Sequence, residues 1–252
     1  MTNTGCLQSG GMNPAADRRS VVRAATSPSA PTVSRAAGAP TPRSGSSAGA
    51  SRPSAPTRRE QILTAAARLF AERGFHGVGV DEIGAAVGIS GPGIYRHFAG
   101  KEAMLAELLV GISERLLTGG RRRLAEAAAD GLAPQAVLDS LIDGHIDFAL
   151  DDRDLITLHD RELDRLQQTE RKRVRRLQRE YVELWVEVVC RVHPALDERE
   201  ARAAVHAVFG LLNSTPHLSR PDSLPGREAM AVLLHRLARG AFDAAGASAA
   251  SA

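Results

Sequence analysis

The segment from Val80 to Phe98 limits the possible folds of this chain more than any other, because it has the pattern of two short helices joined by a sharp turn. Ile83 and Val87 lie four residues apart and therefore share one face of the first helix. Gly88 follows at the position where a residue in the left-handed conformation ends a helix. The pattern predicts a helix-turn-helix, a shape that fits the major groove of DNA.

The second helix of this segment has its own start signals. Ser90 is a suitable N-cap, and Pro92 falls in the first turn, where its missing N–H costs no hydrogen bond. Ile94 and Phe98 lie four residues apart and form an apolar pair. The other face carries three side chains that can donate hydrogen bonds to phosphate oxygens: Tyr95, Arg96 and His97.

Two further stretches accompany the turn, Phe70-Ala-Glu-Arg-Gly-Phe75 and Tyr95-Arg-His-Phe-Ala-Gly-Lys-Glu-Ala-Met-Leu105. With them, residues 57 to 105 resemble the TetR-type (TetR/AcrR) bacterial transcriptional regulators. The resemblance implies an all-α fold, with an N-terminal three-helix helix-turn-helix DNA-binding domain and a C-terminal helical domain for ligand binding and dimerisation. Gly91 and Gly93 stand where that family often has a side chain that touches DNA, so we expect readout of DNA shape to gain weight.

Three side chains near the turn are expected to position phosphates: Tyr95, His97 and Lys101. Arg96 is the candidate for contact with a base edge. The charge of Lys101 at a helix start opposes the helix dipole, which a nearby phosphate would relieve. An exposed lysine without such a contact is the alternative.

Arg58 and Arg59 begin the first helix and are expected to assist, by reaching a phosphate or the minor groove. The alternative is a helix terminus that is simply solvated. The complete set of predicted DNA-binding residues is Arg58, Arg59, Gly91, Gly93, Tyr95, Arg96, His97 and Lys101.

Residues 1–56 form a tail rich in Arg, Ser, Pro and Ala, with few large apolar side chains. Such a segment buries too little surface to offset its ordering entropy, so we expect it to be disordered. Its six arginines stand against one aspartate, so the tail is basic although the whole chain has a formal net charge of only +3. Three interpretations of this tail stay open: a passive extension, an arm that adds non-specific affinity for phosphates, and the product of a start codon assigned too early.

A capping box, Thr57-Arg-Arg-Glu60, predicts where ordered structure begins. We place the helix-turn-helix domain at residues 57–103, the helical effector-binding and dimerisation domain at 104–245, and a frayed tail at 246–252. Apolar spacing predicts one helix from Lys101 to about Leu117. After Gly119-Gly120, further helices are predicted near 121–130, 134–150, 153–168, 169–192, 197–215 and 225–245.

Four residues of the second domain are candidates for an effector site: His145, His159, Tyr181 and Trp185. His145 lies on an apolar helix stripe and is either a hydrogen-bonded core residue or part of a pocket. His159 lies in a charged run whose alternative explanation is ion pairing. Tyr181 and Trp185 share an apolar helix face and are either pocket or core residues.

The first half of the helix from Thr169 is crowded with basic side chains. They give a weak preference for an amphiphilic effector with an anionic head, while a solvated charged face is the alternative. The residues concerned are Arg171, Lys172, Arg173, Arg175, Arg176 and Arg179.

The resemblance implies that the last two long helices build the interface of a homodimer. Two recognition helices held by a two-fold axis are expected to bind a palindromic operator in double-stranded DNA. An effector that favours another spacing weakens DNA binding. The resemblance implies a repressor, so we expect one that an effector controls. The alternatives are a constitutive DNA-binding protein without effector and a helical enzyme, for which the sequence offers no catalytic motif.

The composition adds a few expectations. Cys6 and Cys190 are too few for a disulfide framework and fit a reducing cytoplasm. The chain has no export signal and no run of about 18 apolar residues, so we expect a cytoplasmic protein without a membrane span. No cofactor or metal site is predicted.

Overall fold

Nine α-helices and no strand make up residues 55–218 and 224–249, which are the residues that the computed structural model describes. The expected all-α class is confirmed. The predicted disordered tail lies outside the described residues, apart from Ala55 and Pro56. The helices are α1 (Arg58–Arg73), α2 (Val80–Ala86), α3 (Gly91–Ile94), α4 (Lys101–Ala129), α5 (Pro134–Asp151), α6 (Arg153–Glu162), α7 (Gln168–Val192), α8 (Glu198–Leu212) and α9 (Arg227–Ala249).

The first three helices pack around a small apolar core. The predicted capping box starts α1, since Glu60 accepts the backbone N–H of Thr57 at 2.7 Å and the Thr57 hydroxyl accepts that of Glu60 at 3.2 Å. The apolar faces of the three helices meet, and burying them stabilises the unit. The largest side chains in this core are all 4% exposed or less: Ile62, Phe70, Ile83, Ile94 and Phe98.

Helix α4 is continuous from Lys101 to Ala129, so the predicted break at Gly119-Gly120 is wrong. Gly120 lies against α7, where a Cβ atom would come within 3.0 Å of the Tyr181 ring. The glycine therefore lets two helices approach closely and does not end one. The proposed domain boundary at 103/104 falls inside α4, which thus belongs to both domains.

The second domain packs α5, α7, α8 and α9 around Trp185 and Phe242, whose side chains are fully buried. Helix α6 ends at Glu162 in a 3-10 turn, Leu163–Arg165, and so is shorter than predicted. Helix α8 ends at Leu212.

Helix α9 continues to Ala249, so the prediction of a frayed tail from residue 246 is wrong for residues 246–249. Gly246 is buried against the end of α7, where a Cβ atom would lie 2.3 Å from Nδ1 of His193. This close packing supports the last turn of α9. Residues 250–252 lie outside the described part of the chain.

A ladder of ion pairs fixes the rotation of α9 against α5. Four aspartates at four-residue spacing on α5 face α9: Asp139, Asp143, Asp147 and Asp151. Arg227 bridges the last two, at 3.1 Å to Asp147 and 2.8 Å to Asp151. His235 Nδ1 lies 2.7 Å from Asp143. The opposite face of α9 is left exposed.

None of the helices in the described ranges is both long enough and apolar enough to cross a membrane.

Candidate DNA-binding face and effector cavity

The turn between α2 and α3 is held by backbone hydrogen bonds. Gly88 has φ +71°, the left-handed conformation predicted for it, and the N–H of Ile89 donates to the carbonyl of Gly84 at 3.0 Å. A Cβ atom on Gly84 would lie 2.8 Å from the carbonyl oxygen of Ile89. Glycine at position 84 is therefore needed for the turn to fold back onto α2.

Gly91 has a packing role that the sequence did not suggest, and DNA contact at this position stays a prediction. It is buried against α2, and a Cβ atom there would meet the Oδ1 atom of Asp81 at 1.6 Å. The missing side chain makes room for α2, so position 91 serves packing. Gly93 is half-buried and has room for a Cβ atom, with its nearest neighbour, Ser90 Oγ, at 3.5 Å.

The recognition helix α3 has only four residues, although helical hydrogen bonding goes on to Phe98, whose N–H donates to the carbonyl of Ile94 at 3.0 Å. Ser90 takes the predicted N-cap position, but its side chain makes no capping hydrogen bond. Tyr95 is 60% exposed, Arg96 is exposed and His97 is half-buried. Tyr95 and Arg96 are thus exposed beside two residues that are buried in the core, Ile94 and Phe98.

Arg58 and Arg59 have structural contacts that the sequence did not suggest. An Nη1 atom of Arg58 donates to the carbonyl of Val87 at 2.8 Å, which ties α1 to the end of α2. Arg59 pairs with Glu107 of α4, donates to the carbonyl of His97 and lies 4.1 Å above the Phe98 ring. Both guanidinium groups are thus engaged within the protein, and DNA contact by them stays a prediction.

Lys101 is half-buried and its ammonium group is engaged within the protein, so its contact with a phosphate stays a prediction. Its Nζ atom donates to the carbonyls of Phe75 at 3.0 Å and Val78 at 3.2 Å, and lies 4.6 Å from the centre of the Phe75 ring. These carbonyls and the ring face stabilise the ammonium group, so no phosphate is needed to offset the helix dipole.

Glu162 connects α6 to the same loop. Its carboxylate is buried, accepts the backbone N–H of Phe75 at 3.3 Å and pairs with Arg165. Arg165 in turn contacts His76 at 2.5 Å. The loop between α1 and α2 is therefore held by α4 through Lys101 and by α6 through Glu162.

A cavity of about 280 Å³ lies in the second domain, bounded by α4 to α8. Three of the four predicted effector residues line it: His145, His159 and Tyr181. Trp185 does not line it but packs directly behind, with its ring centre 5.0 Å from that of Phe209 and 5.9 Å from that of His145. Three of the four candidates thus lie together at one cavity, and their role in effector binding stays a prediction.

His145 is fully buried and makes two hydrogen bonds. Its Nε2 atom lies 3.1 Å from Oδ1 of Asn213, which can only accept, so Nε2 carries the proton. Nδ1 therefore accepts from the Tyr181 hydroxyl at 3.3 Å. Burial lowers the pKa of His145 to about 4, although the bond to Asn213 opposes this shift, so the imidazole is neutral at pH 7.

Tyr181 shares this environment, and burial raises the pKa of its hydroxyl above the ordinary value. The rings of His145, Tyr181 and Phe209 are parallel within 20°, and Trp185 stands nearly perpendicular to them. His159 is half-buried and contacts the amide nitrogen of Gln178. The cavity thus has an aromatic wall and a polar edge.

Sequence reasoning missed most of the lining residues, among them Gln178, His206, Phe209 and Asn213. Three of them, at positions 206, 209 and 213, follow one face of α8 at helical spacing. That mixture of aromatic and polar residues was a detectable signal, because an ordinary core face is apolar throughout.

The arginines of α7 do not reach this cavity. Arg171 and Arg175 pair with Asp164, and Arg173 pairs with Glu114. Their solvated, ion-paired state agrees with the alternative explanation. The preference for an anionic head, which rested on these arginines, therefore loses its basis.

A larger groove of about 990 Å³ runs between α1, α4 and the corner of α5 and α6. Charged side chains line it, and several are already paired: Glu107 with Arg59, Asp152 with Arg115 and Asp151 with Arg227. We assign it to hydrated surface and the smaller aromatic cavity to ligand binding. In the described ranges no group of three or more His, Cys, Asp or Glu side chains is arranged to hold a metal ion.

The exposed face of α9 is apolar. Val232 is 59% exposed, Leu237 is 47% exposed and Leu233 is 39% exposed. On α8, the small residues Ala203, Ala207 and Gly210 are exposed as well. The apolar residues of α9 are thus divided between the core, where Leu234 lies, and the surface, where Leu233 and Leu237 lie.

Two family models match the chain. One, described as bacterial regulatory proteins of the tetR family, matches residues 62–108, and the other, a tetracyclin repressor-like C-terminal domain, matches residues 131–239. The first covers the helix-turn-helix and the second covers most of the helices that bound the cavity.

Individual relatives agree with these models. The HTH-type transcriptional repressor KstR2 of Rhodococcus jostii (strain RHA1) is 41% identical over 85 residues, which is 34% of this chain and 40% of that protein. The HTH-type transcriptional activator FasR of Mycolicibacterium smegmatis is 33% identical over 86 residues, 34% of this chain and 39% of that protein. The chain thus spans about 40% of the length of these curated relatives. Each of them is a transcriptional regulator and not an enzyme.

The fold extends further than the sequence similarity. The structure of the ketosteroid transcriptional regulator KstR2 of Mycobacterium tuberculosis superimposes with a TM-score of 0.64 at 22% identity, covering 74% of this chain and 95% of that one. The helix-turn-helix, the helical second domain and the two family models lead to one conclusion: the chain belongs to the TetR family of bacterial regulatory proteins.

Proposed function

We propose that this protein is a homodimeric transcriptional repressor, which binds a palindromic operator and is released from it by a small molecule. The observation that carries the proposal is the exposure of Tyr95 and Arg96 in the turn that directly continues α3, while Ile94 and Phe98 hold the same segment in the core. A short helix held this rigidly can enter the major groove without being ordered on binding. A role on bacterial DNA places the protein in the cytoplasm.

Dimerisation follows from the apolar face of α9. Three large aliphatic side chains on one helix face water in the monomer, next to the small-residue face of α8. A second copy of the same pair of helices would bury both faces in a four-helix interface, and a two-fold interface of this kind is self-complementary. The two recognition helices would then meet two half-sites of a palindrome.

Helix α6 supports control by an effector. Its residues Ile156 and His159 line the cavity, and Glu162, one turn further on, holds the loop that precedes α2. A ligand that shifts α6 therefore acts on the base of the helix-turn-helix. By linkage, the factor by which it weakens DNA binding equals the factor by which DNA weakens ligand binding. The same cavity favours this function over that of a constitutive DNA-binding protein.

The test measures binding of the purified full-length protein to the DNA upstream of its own gene, by fluorescence anisotropy over a range of salt concentrations. We expect affinity to fall steeply with salt, because phosphate contacts release counterions. Arg96→Ala is expected to weaken binding and to relax sequence preference. The matched control is Arg68→Ala, which removes an exposed arginine of α1 that pairs with Glu72.

Binding that is absent or insensitive to salt would contradict the proposal. Equal affinity of the Arg96→Ala and Arg68→Ala variants would exclude α3 as the recognition helix.

A further inference from the structure

Among the residues that the structure describes, no lysine and no arginine lines the effector cavity. Its one carboxylate belongs to Asp160, which is half exposed at the polar edge. Burying an anionic group costs several kcal/mol unless a positive partner is present, and Asp160 would add repulsion. The cavity is therefore unsuited to a ligand that places a carboxylate or phosphate inside it.

His145 adds no positive charge to the inner wall, because its imidazole is neutral. The side chain is fully buried, and its two ring nitrogens are occupied by Tyr181 and Asn213. His159 and His206, which are more exposed, lie at the edge of the cavity. The charge of Arg123 acts on Tyr181, but Arg123 lines the neighbouring pocket between α4 and α5 and donates to the Ser140 hydroxyl at 3.1 Å. A negative head group inside the cavity would thus find no arginine or lysine among the described lining residues to pair with.

The Asn213 amide supplies a free hydrogen-bond donor at this wall. Within the described ranges the indole N–H of Trp185 also has no partner, but Trp185 is fully buried behind the wall and does not line the cavity. Asn213 uses its Oδ1 atom to accept from His145, and across the described ranges its amide nitrogen has no hydrogen-bond partner. The two hydroxyl groups that line the cavity already donate within the protein. The Tyr181 hydroxyl donates to His145, and the Ser113 hydroxyl donates to the carbonyl of Leu109 at 2.8 Å. The network thus orients the Asn213 amide so that its N–H groups are left for an acceptor.

We propose that the effector is an uncharged, mainly apolar molecule with a carbonyl-type oxygen, and that the Asn213 amide donates a hydrogen bond to that oxygen. This inference rests on the proposed effector-responsive function. The aliphatic part of the molecule packs on Ile112, Leu116 and Ile156, and its oxygen points toward the end of α8. Other molecules of the same shape would bind less well. A hydrocarbon leaves the Asn213 amide without a hydrogen-bond acceptor, and an acid places a charge in a largely apolar cavity.

Trp185 provides the measurement, because it is the only tryptophan in the chain and lies directly behind the cavity wall. The full-length protein is titrated at pH 7.5 with three compounds that share one fused-ring skeleton and do not absorb at the excitation wavelength. They are trans-2-decalone, trans-decalin and trans-decahydronaphthalene-2-carboxylate. We expect the ketone to change the emission of Trp185 with an affinity about tenfold higher than that of the hydrocarbon or the acid.

Asn213→Asp is the matched variant, because it keeps an oxygen that accepts from His145 and replaces the donor nitrogen by an acceptor. The variant is expected to lose the preference for the ketone over the hydrocarbon. Asn213→Leu, which also removes the amide, is expected to bind the ketone and the hydrocarbon equally. Thermal unfolding without ligand shows which variants are folded, and either folded variant is sufficient for the test.

Three results would overturn the inference: the acid binds as tightly as the ketone, the variants keep the ketone preference, or none of the compounds binds. A separate measurement of DNA affinity with and without the ketone distinguishes this inference from the proposed function. If the ketone binds as expected and DNA affinity does not change, the ligand class stands and release from DNA by an effector fails.

Discussion

The carboxylate of Glu162, at the end of α6, accepts the backbone N–H of Phe75 at 3.3 Å, in the loop that leads into α2. The two residues are separated by 87 positions in the chain. The contact joins a helix that lines the ligand cavity to the base of the DNA-reading unit. Because the carboxylate is buried and also paired with Arg165, its removal leaves polar groups without partners.

Replacing Glu162 is therefore expected to destabilise the protein. Glu162→Ala should lower the free energy of unfolding by about 2 kcal/mol, and Glu162→Gln, which keeps an acceptor for Phe75, by about 1 kcal/mol. Urea denaturation measures both. Glu72→Gln is the control, since Glu72 pairs with Arg68 at the surface and is expected to cost less than about 0.5 kcal/mol. Equal effects at positions 72 and 162 would contradict the role of the buried contact.

Lys101→Met is expected to act on stability and not on phosphate binding. The change removes two hydrogen bonds and a cation–π contact, which together should cost about 1–2 kcal/mol. The dependence of DNA affinity on salt should keep its slope, because the ammonium group faces the protein. Lys172→Met, at an exposed position of α7, serves as control for stability. A slope reduced by about one phosphate contact would instead restore Lys101 to the DNA interface.

His145 is expected to make stability depend on pH. Its pKa is lowered from an ordinary value of 6.5 to about 4 in the folded protein, so the unfolded chain takes up the proton first as pH falls. The stability that the neutral imidazole provides is complete above pH 6.5 and is lost as pH falls toward 4, by up to about 3 kcal/mol.

His145→Gln removes this titration while keeping one donor and one acceptor at the position. Between pH 6.5 and 4, its free energy of unfolding is expected to fall less than that of the unchanged protein. Denaturation curves at several pH values provide the comparison. Parallel pH profiles for the two proteins would show that His145 is not buried in the neutral form.

Leu237→Glu is expected to separate the dimer. The residue is 47% exposed in the centre of the apolar face of α9, and two facing carboxylates there would repel each other across the two-fold axis. Leu132→Glu is a control matched in exposure, because Leu132 is also 47% exposed but lies in the loop after α4. Light scattering coupled to size exclusion is expected to give a monomer for the first variant and a dimer for the second.

Local signals in the sequence were sufficient for the DNA-binding unit. The capping box of Thr57 and Glu60 and the left-handed Gly88 depend on residues a few positions apart, and both are present as predicted. Contacts between residues that are far apart in the sequence could not be predicted from such local patterns. The ion pair of Arg59 with Glu107 and the inward turn of Lys101 depend on how α1 and α4 pack.

Packing also explains where local signals misled. The pair Gly119-Gly120 is a strong breaker signal, yet α4 continues through it because Tyr181 of α7 occupies the space that a side chain at position 120 would need. The cavity was only partly predictable for a related reason. Asn213 and Gln178 are ordinary polar residues in the sequence, and only the folded arrangement places them beside His145 and His159.

The continuity of α4 gives the protein a mechanical property that two shorter helices would lack. With 29 residues and a rise of 1.5 Å per residue, it forms a rod about 44 Å long that starts beneath the reading unit and passes the ligand cavity. If α4 pivots at its Ala129 end, a tilt of about 5° would move the Lys101 end by about 4 Å, which is a substantial part of the rise between successive turns of the helix itself. The residues of α4 that line the cavity lie between the two ends and would move less, so a small displacement beside a ligand would become a larger one at the DNA-reading unit.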